Sequence, residues 1–145
     1  MKKNSKQVLL FLVGNDAFFL NSLVPEFRKN GDNDIQTYLT GELCLESISD
    51  NPDIIILDYN LNGACKNVIG GLETLDRIKA IRPEIPVIML SSHDTVGVAA
   101  ACINHQASDC IVKSETAFLH LHTSISSIIH CRMMEKTLAW YMDQM

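Results

Sequence analysis

The sequence predicts a doubly wound α/β domain, a parallel five-stranded sheet covered by helices on both faces. Short apolar runs of strand length alternate along the chain with segments whose apolar residues recur every three to four positions, the pattern of βα units joined by right-handed crossovers. The best of these runs, Ile54-Ile55-Ile56-Leu57 in PDIIILDYNLNG, is apolar at every position, as a strand buried on both faces must be. At 145 residues, 47% hydrophobic and 20% charged, the chain is sized for one core, and it reads as a single domain over 1–145.

Val8–Val13 is the first strand, and Gly14-Asn15-Asp16 turns the chain into a helix over Ala17–Asn30. Phe18, Leu20, Leu23, Val24 and Phe27 give that helix its period, Pro25 is placed to kink it, and Gly31 stops it. Ile35–Leu39 alternates like a strand near the sheet edge, and Thr40-Gly41 opens a short helix carrying Leu43, Leu45 and Ile48. The central strand ends in Asp58, and a loop runs from Asn60 to Gly70. Gly71–Ile81 is an amphipathic helix closed by Arg82-Pro83. Pro86–Leu90 is the fourth strand, with Ser91-Ser92-His93-Asp94 after it; Val96–Asn104 is a helix, and Cys110–Val112 is the fifth strand, with Lys113 at its end.

From Glu115 to about Asp143 hardly a breaker interrupts the last helix, which at 1.5 Å per residue reaches about 43 Å. A domain of this size covers about half of that length. Phe118, Leu121, Ile125, Ile128 and Ile129 suit the sheet. Met133, Met134, Leu138, Trp140, Tyr141, Met142 and Met145 need another partner, so residues 131–145 read as an extension that pairs with a second copy, leads into a further region, or folds back.

Composition excludes several classes. A net charge of -5 argues against a nucleic-acid surface, which needs clustered Lys and Arg. The apolar run Val8–Val13 is too short for a signal peptide and no stretch reaches the length of a membrane span, which points to a cytoplasmic location. Cys44, Cys65, Cys102, Cys110 and Cys131 are scattered with no C-x-x-C pair, as expected of reduced, mostly buried thiols. His120 and His122 are two apart on a helix, on different faces, so with His130 they do not make a metal site.

In a sheet ordered 2-1-3-4-5, the carboxyl ends of strands one, three, four and five are neighbours, and ligands bind outside such ends. Asp58, Ser91 and Lys113 stand there, beside Gly14-Asn15-Asp16. Alone, Asp58 reads equally as a nucleophile or metal ligand and as a loop cap. As a set, a carboxylate, a hydroxyl and an ammonium suit phosphoryl transfer, in which a carboxylate attacks phosphorus and cations neutralise the spread charge.

PDIIILDYNLNG, then GLETLDRIKAIRPEIPVIMLSSHD, then ASDCIVKSE, in this order and spacing, resemble the receiver domain of bacterial two-component response regulators over about residues 7–130. The resemblance implies a flavodoxin-like sheet order, phosphorylation of Asp58 by a histidine kinase or phosphotransfer protein, Ser91 as switch hydroxyl and Lys113 as phosphate-binding lysine. It also implies Asn60 offering its backbone carbonyl to Mg²⁺, a downstream effector protein, and no enzyme activity beyond self-phosphorylation and self-dephosphorylation at Asp58.

Three departures qualify it. Where the family carries an acid pair, this chain has Gly14-Asn15, so its Mg²⁺ site is expected to be weak or absent; Asn15 brings only a neutral carbonyl, and Asp16 reaches the site only if the turn is rearranged. Cys110 stands where the family has Tyr or Phe and is too small for that ring's inward movement. The loop 61–70 is about five residues longer than usual and adds Cys65, Lys66 and Asn67. Two readings stay open: a phosphorylated receiver, and a pseudo-receiver that works by protein interaction and dimerisation without phosphorylation. A flavodoxin-like cofactor protein is disfavoured because the loop after the first strand lacks a Gly- and hydroxyl-rich phosphate cradle, and a hydrolase because neither Ser91 nor Ser92 lies in G-x-S-x-G.

Overall fold

The computed structural model describes residues 8–29, 33–61, 67–92 and 96–145. Five strands, β1 (Val8–Val13), β2 (Asn33–Tyr38), β3 (Ile54–Asp58), β4 (Val87–Ser91) and β5 (Asp109–Val112), form one parallel sheet in the order β2-β1-β3-β4-β5. Helices α1 (Ala17–Lys29), α2 (Gly41–Glu46), α3 (Gly71–Ile81), α4 (Val96–Asn104) and α5 (Ala117–Asp143) connect and flank them.

Side-chain alternation along the strands makes two cores. Phe11, Val13, Ile55, Leu57, Val87 and Met89 face one side, under α2, α3 and α4. Leu10, Leu12, Ile54, Ile56, Ile88, Leu90 and Ile111 face the other, under α1 and α5. β3 is buried at every residue, which is why its sequence is apolar without alternation.

The expected elements form, with boundary shifts that have local causes. β2 covers 33–38 rather than 35–39, because the register with β1 runs from Val8–Asn33 to Val13–Tyr38 and leaves Leu39 half exposed. β4 runs 87–91 rather than 86–90, so Ser91 is itself the last strand residue and is fully buried. β5 begins at Asp109, one residue early, and α5 at Ala117, two residues late. Thr40 caps α2 through its side chain, which accepts from Leu43 N; Ile48 falls in a separate 3₁₀ turn, 48–50. α1 continues as helix through Pro25. Its expected stop at Gly31, and Cys65, Lys66, His93 and Asp94, lie outside the described residues.

α5 divides at Arg132. Up to there Leu121 and Ile125 are buried in the core. The Arg132 guanidinium then donates to the Glu84 carbonyl at 3.2 Å and the Asp53 carbonyl at 3.4 Å, at the foot of β3 and β4. Beyond it every residue of α5 is exposed. No helix among the described residues is long and apolar enough to cross a membrane.

Candidate functional site

Strand register decides which polar groups meet. Asp58 pairs with Leu90, and Ser91 with Val112, so the ends of β3, β4 and β5 are flush, and Lys113 N donates to the Ser91 carbonyl at 2.8 Å. Asp58 and Lys113 continue the alternation of Ile56 and Ile111, so both lean toward α1 and α5. There the Lys113 Nζ lies 2.6 Å from Asp58 Oδ2, in an ion pair whose side chains are 4% (Asp58) and 15% (Lys113) exposed. Asp58 Oδ1 accepts from Asn60 N at 3.1 Å, which makes it both a site carboxylate and the cap of its own loop.

Two neighbours complete the pocket, and the sequence singles out neither. Phe19, in the first turn of α1, places its ring 5.2 Å from Lys113 Nζ, a cation–π contact over the ammonium. Gly71, at the start of α3, lies so close to the end of β3 that a Cβ there would sit 2.4 Å from the Asp58 carbonyl oxygen. The only sequence hint for Phe19 is an aromatic residue just past the turn that ends the first strand. Gly71 reads only as a helix start.

The β1 side of the pocket is different. Gly14 faces Asp58, with room for a Cβ at 3.4 Å from Asp58 Oδ2. The Asn15 side-chain amide donates to the Asn60 carbonyl at 3.3 Å, the oxygen expected to face a metal. Asp16 turns away: its Oδ1 accepts from Phe19 N at 3.1 Å, an N-terminal cap of α1 that holds its carboxylate at the helix end. Among the described residues no three His, Cys, Asp or Glu side chains come together. Mg²⁺ gives up its water shell reluctantly and favours carboxylates, and here it would find one carboxylate already paired with a lysine. The residues present do not fit a tightly held Mg²⁺.

Against this geometry the sequence matches the response regulator receiver domain over residues 10–125. The chain belongs to that family. It is a receiver domain of the two-component response regulators, the class of module that holds Mg²⁺ at an acidic pocket. It is 44% identical to the nitrogen assimilation regulatory protein NtrX of Azorhizobium caulinodans over 62 residues, 43% of this chain and 13% of that protein. Identity to the protein-glutamate methylesterase/protein-glutamine glutaminase of Clostridium acetobutylicum is 30% over 112 residues, 74% of this chain and 31% of that one. The chain therefore spans less than a third of either relative.

Among solved structures, the receiver domain of NtrX from Brucella abortus superposes with a TM-score of 0.71 at 26% identity, covering 82% of this chain and 97% of that one. The receiver domain of a putative LuxO repressor from Vibrio parahaemolyticus gives 0.76 at 25% identity, with 91% and 97% covered. The sheet order and the alternation of strands and helices read from the sequence are those of this family.

Proposed function

We propose that Asp58 is the phosphoacceptor of this receiver, taking its phosphoryl group from a histidine kinase or phosphotransfer protein. The observation that carries this reading is the Lys113–Asp58 contact of 2.6 Å between two largely buried side chains. A carboxylate oxygen of Asp58 attacks phosphorus, the phosphorus–nitrogen bond to the donor imidazole breaks, and the imidazole leaves with its electron pair. The Lys113 ammonium stays beside the phosphoryl oxygens and neutralises their charge, worth far more in a dry site than in water. In this reading Ser91, the last residue of β4, is the switch hydroxyl that donates to a phosphoryl oxygen, and Asn60 N donates to the carboxylate. Mg²⁺ contributes little, for want of the acids at Gly14 and Asn15. No turnover is assigned beyond self-phosphorylation and self-dephosphorylation at Asp58.

Intact-protein mass after incubation with acetyl phosphate tests it. A phosphate-sized gain in the wild type, absent in Asp58→Asn, supports the reading. No gain in a folded wild type would sink it and favour the second reading, a receiver fold working by protein interaction alone. That second reading is favoured specifically by the missing acid pair.

The output reaches an effector protein through a dimer. Past Arg132, Met134, Leu138, Tyr141 and Met145 recur at spacings of four, three and four, the apolar stripe of a helix that pairs with another helix. Each is 59% or more exposed. With Met133, Trp140 and Met142 they offer an area on the order of the 800 Å² per partner that stable interfaces bury. In 131–145 the charges of Arg132 and Lys136 cancel those of Glu135 and Asp143, so two copies do not repel. Truncation after Arg132 leaves a folded monomer, while the full chain runs as a dimer in light scattering; equal mass per particle for both would refute this.

A further inference from the structure

α5 is one unbroken helix over Ala117–Asp143, and where it leaves the body at Arg132 its surface takes on a heptad order. Cys131, Met134, Leu138 and Tyr141 follow at spacings of three, four and three, the a, d, a and d positions of a helix pair, and all four are exposed. Toward the body the next two seam positions are Ser127 and Ser124, so the apolar seam starts at Cys131. This register puts His130 at the g position and Glu135 at the e position that flank the seam. His130 shares a shallow groove with Met134, Leu138 and Tyr141, which places it beside the seam. Both His130 and Glu135 are exposed, and neither has an ion pair or side-chain hydrogen bond with any described residue.

We propose that two copies of the chain pair through this seam in parallel and in register, with His130 of each helix against Glu135 of the other, so that protonating the imidazole tightens the dimer. The inference rests on the α5 dimer proposed above and adds its direction and its control. In a parallel pair a g position meets the e position five residues on in the partner, and His130 and Glu135 have that spacing. Twofold symmetry makes the contact twice. An antiparallel pair instead brings e against e and g against g, so Glu135 meets the partner copy's Glu135, a like charge, or its Met142. Only the parallel pair gives this carboxylate a cation.

Charge sets the direction of the pH response. An imidazole gains its proton as pH falls through about 6.5 and a glutamate stays ionised down to about 4.3, so such a pair is ionic between those values. Proton binding is therefore favoured in the dimer, and the dimer is tighter at about pH 6 than at about pH 8. The groups that face His130 are few. Within its own chain the groove holds only α5 residues, of which Tyr141, about three turns on, is the one other titratable group. The Arg132 guanidinium is turned to the Glu84 and Asp53 carbonyls. From the partner copy come Glu135 and, across the seam, Cys131. A seam of about two heptads is short for a coiled coil, so two ion pairs are a measurable fraction of its strength.

Sedimentation velocity of the full chain under reducing conditions, at about pH 6 and about pH 8, tests the pairing, with diamide cross-linking as a separate probe of direction. The expected result is a dissociation constant about 3–10-fold smaller at the lower pH, the size of two exposed ion pairs. His130→Gln and Glu135→Gln each flatten the response, and Glu135→Lys reverses it; both positions are exposed, so the fold is kept. In parallel register the two Cys131 residues face each other, and diamide links the chains in the wild type but not in Cys131→Ser. A dimer of equal affinity at both pH values, a response that survives Glu135→Gln, or a dimer that diamide does not link through Cys131 would overturn the pairing and leave the α5 dimer standing. A chain that stays monomeric at every pH would overturn both.

Discussion

The two sides of the pocket lie on adjacent strands of one sheet and have opposite character. On the β3–β5 side a buried carboxylate, Asp58, holds a lysine at 2.6 Å, with a buried serine at the neighbouring strand end. On the β1 side a glycine, an amide and a carboxylate turned toward its own helix occupy the equivalent ring of positions. The contrast teaches that the cationic support of Asp58 and the metal support are separable. Lys113 is positioned by β5 register alone and is indifferent to the residues of the turn after β1. A metal site instead needs several acids converging from different strands, and a change of residues in that one turn removes its charge.

The largest effect expected from breaking this contrast is at Lys113. Lys113→Ala leaves Asp58 buried and unpaired, which costs about 3 kcal/mol in urea unfolding. It also lowers phosphorylation of Asp58 by about 10²–10³-fold, the loss typical of removing one preorganised donor. Unchanged stability would mean that the carboxylate is hydrated and the pocket open.

Two glycines separate the sides next. Gly71→Ala forces a methyl to within 2.4 Å of the Asp58 carbonyl and 2.6 Å of the Tyr59 carbonyl, and the backbone cannot yield; a loss of about 2–3 kcal/mol is expected. Gly14→Ala meets Asp58 only at 3.4 Å, ordinary contact, and stays within about 0.5 kcal/mol of wild type. Equal costs at the two positions would erase the distinction between a side packed by backbone and a side with room for an acid. The smallest effect is at Phe19: Phe19→Leu keeps the apolar bulk and loses the ring over Lys113, lowering stability by about 0.5–1 kcal/mol. No change on denaturation would reduce that contact to mere proximity.

The elements that strand chemistry dictates were legible in the sequence, because a strand buried on both faces admits few residues besides Ile, Leu and Val, and Asp58 stands out at the end of one. The site was legible to the extent that it sits at strand ends, which is why Asp58 and Lys113 meet as read, with Ser91 ending the strand between theirs. Phe19 and Gly71 were not, since their roles depend on where helices α1 and α3 cross the sheet, a distance that periodicity does not encode. Asp16 offered a carboxylate at the right place in sequence, and only the turn geometry reveals that it caps α1 instead.

Calorimetric titration of Mg²⁺ into the wild type and into a Gly14→Asp, Asn15→Asp variant tests the separation of the two sides most directly. The expected result is little or no heat from the wild type and binding in the variant at least about 10–100-fold tighter. Tight binding by the wild type, or no gain on restoring both acids, would contradict it.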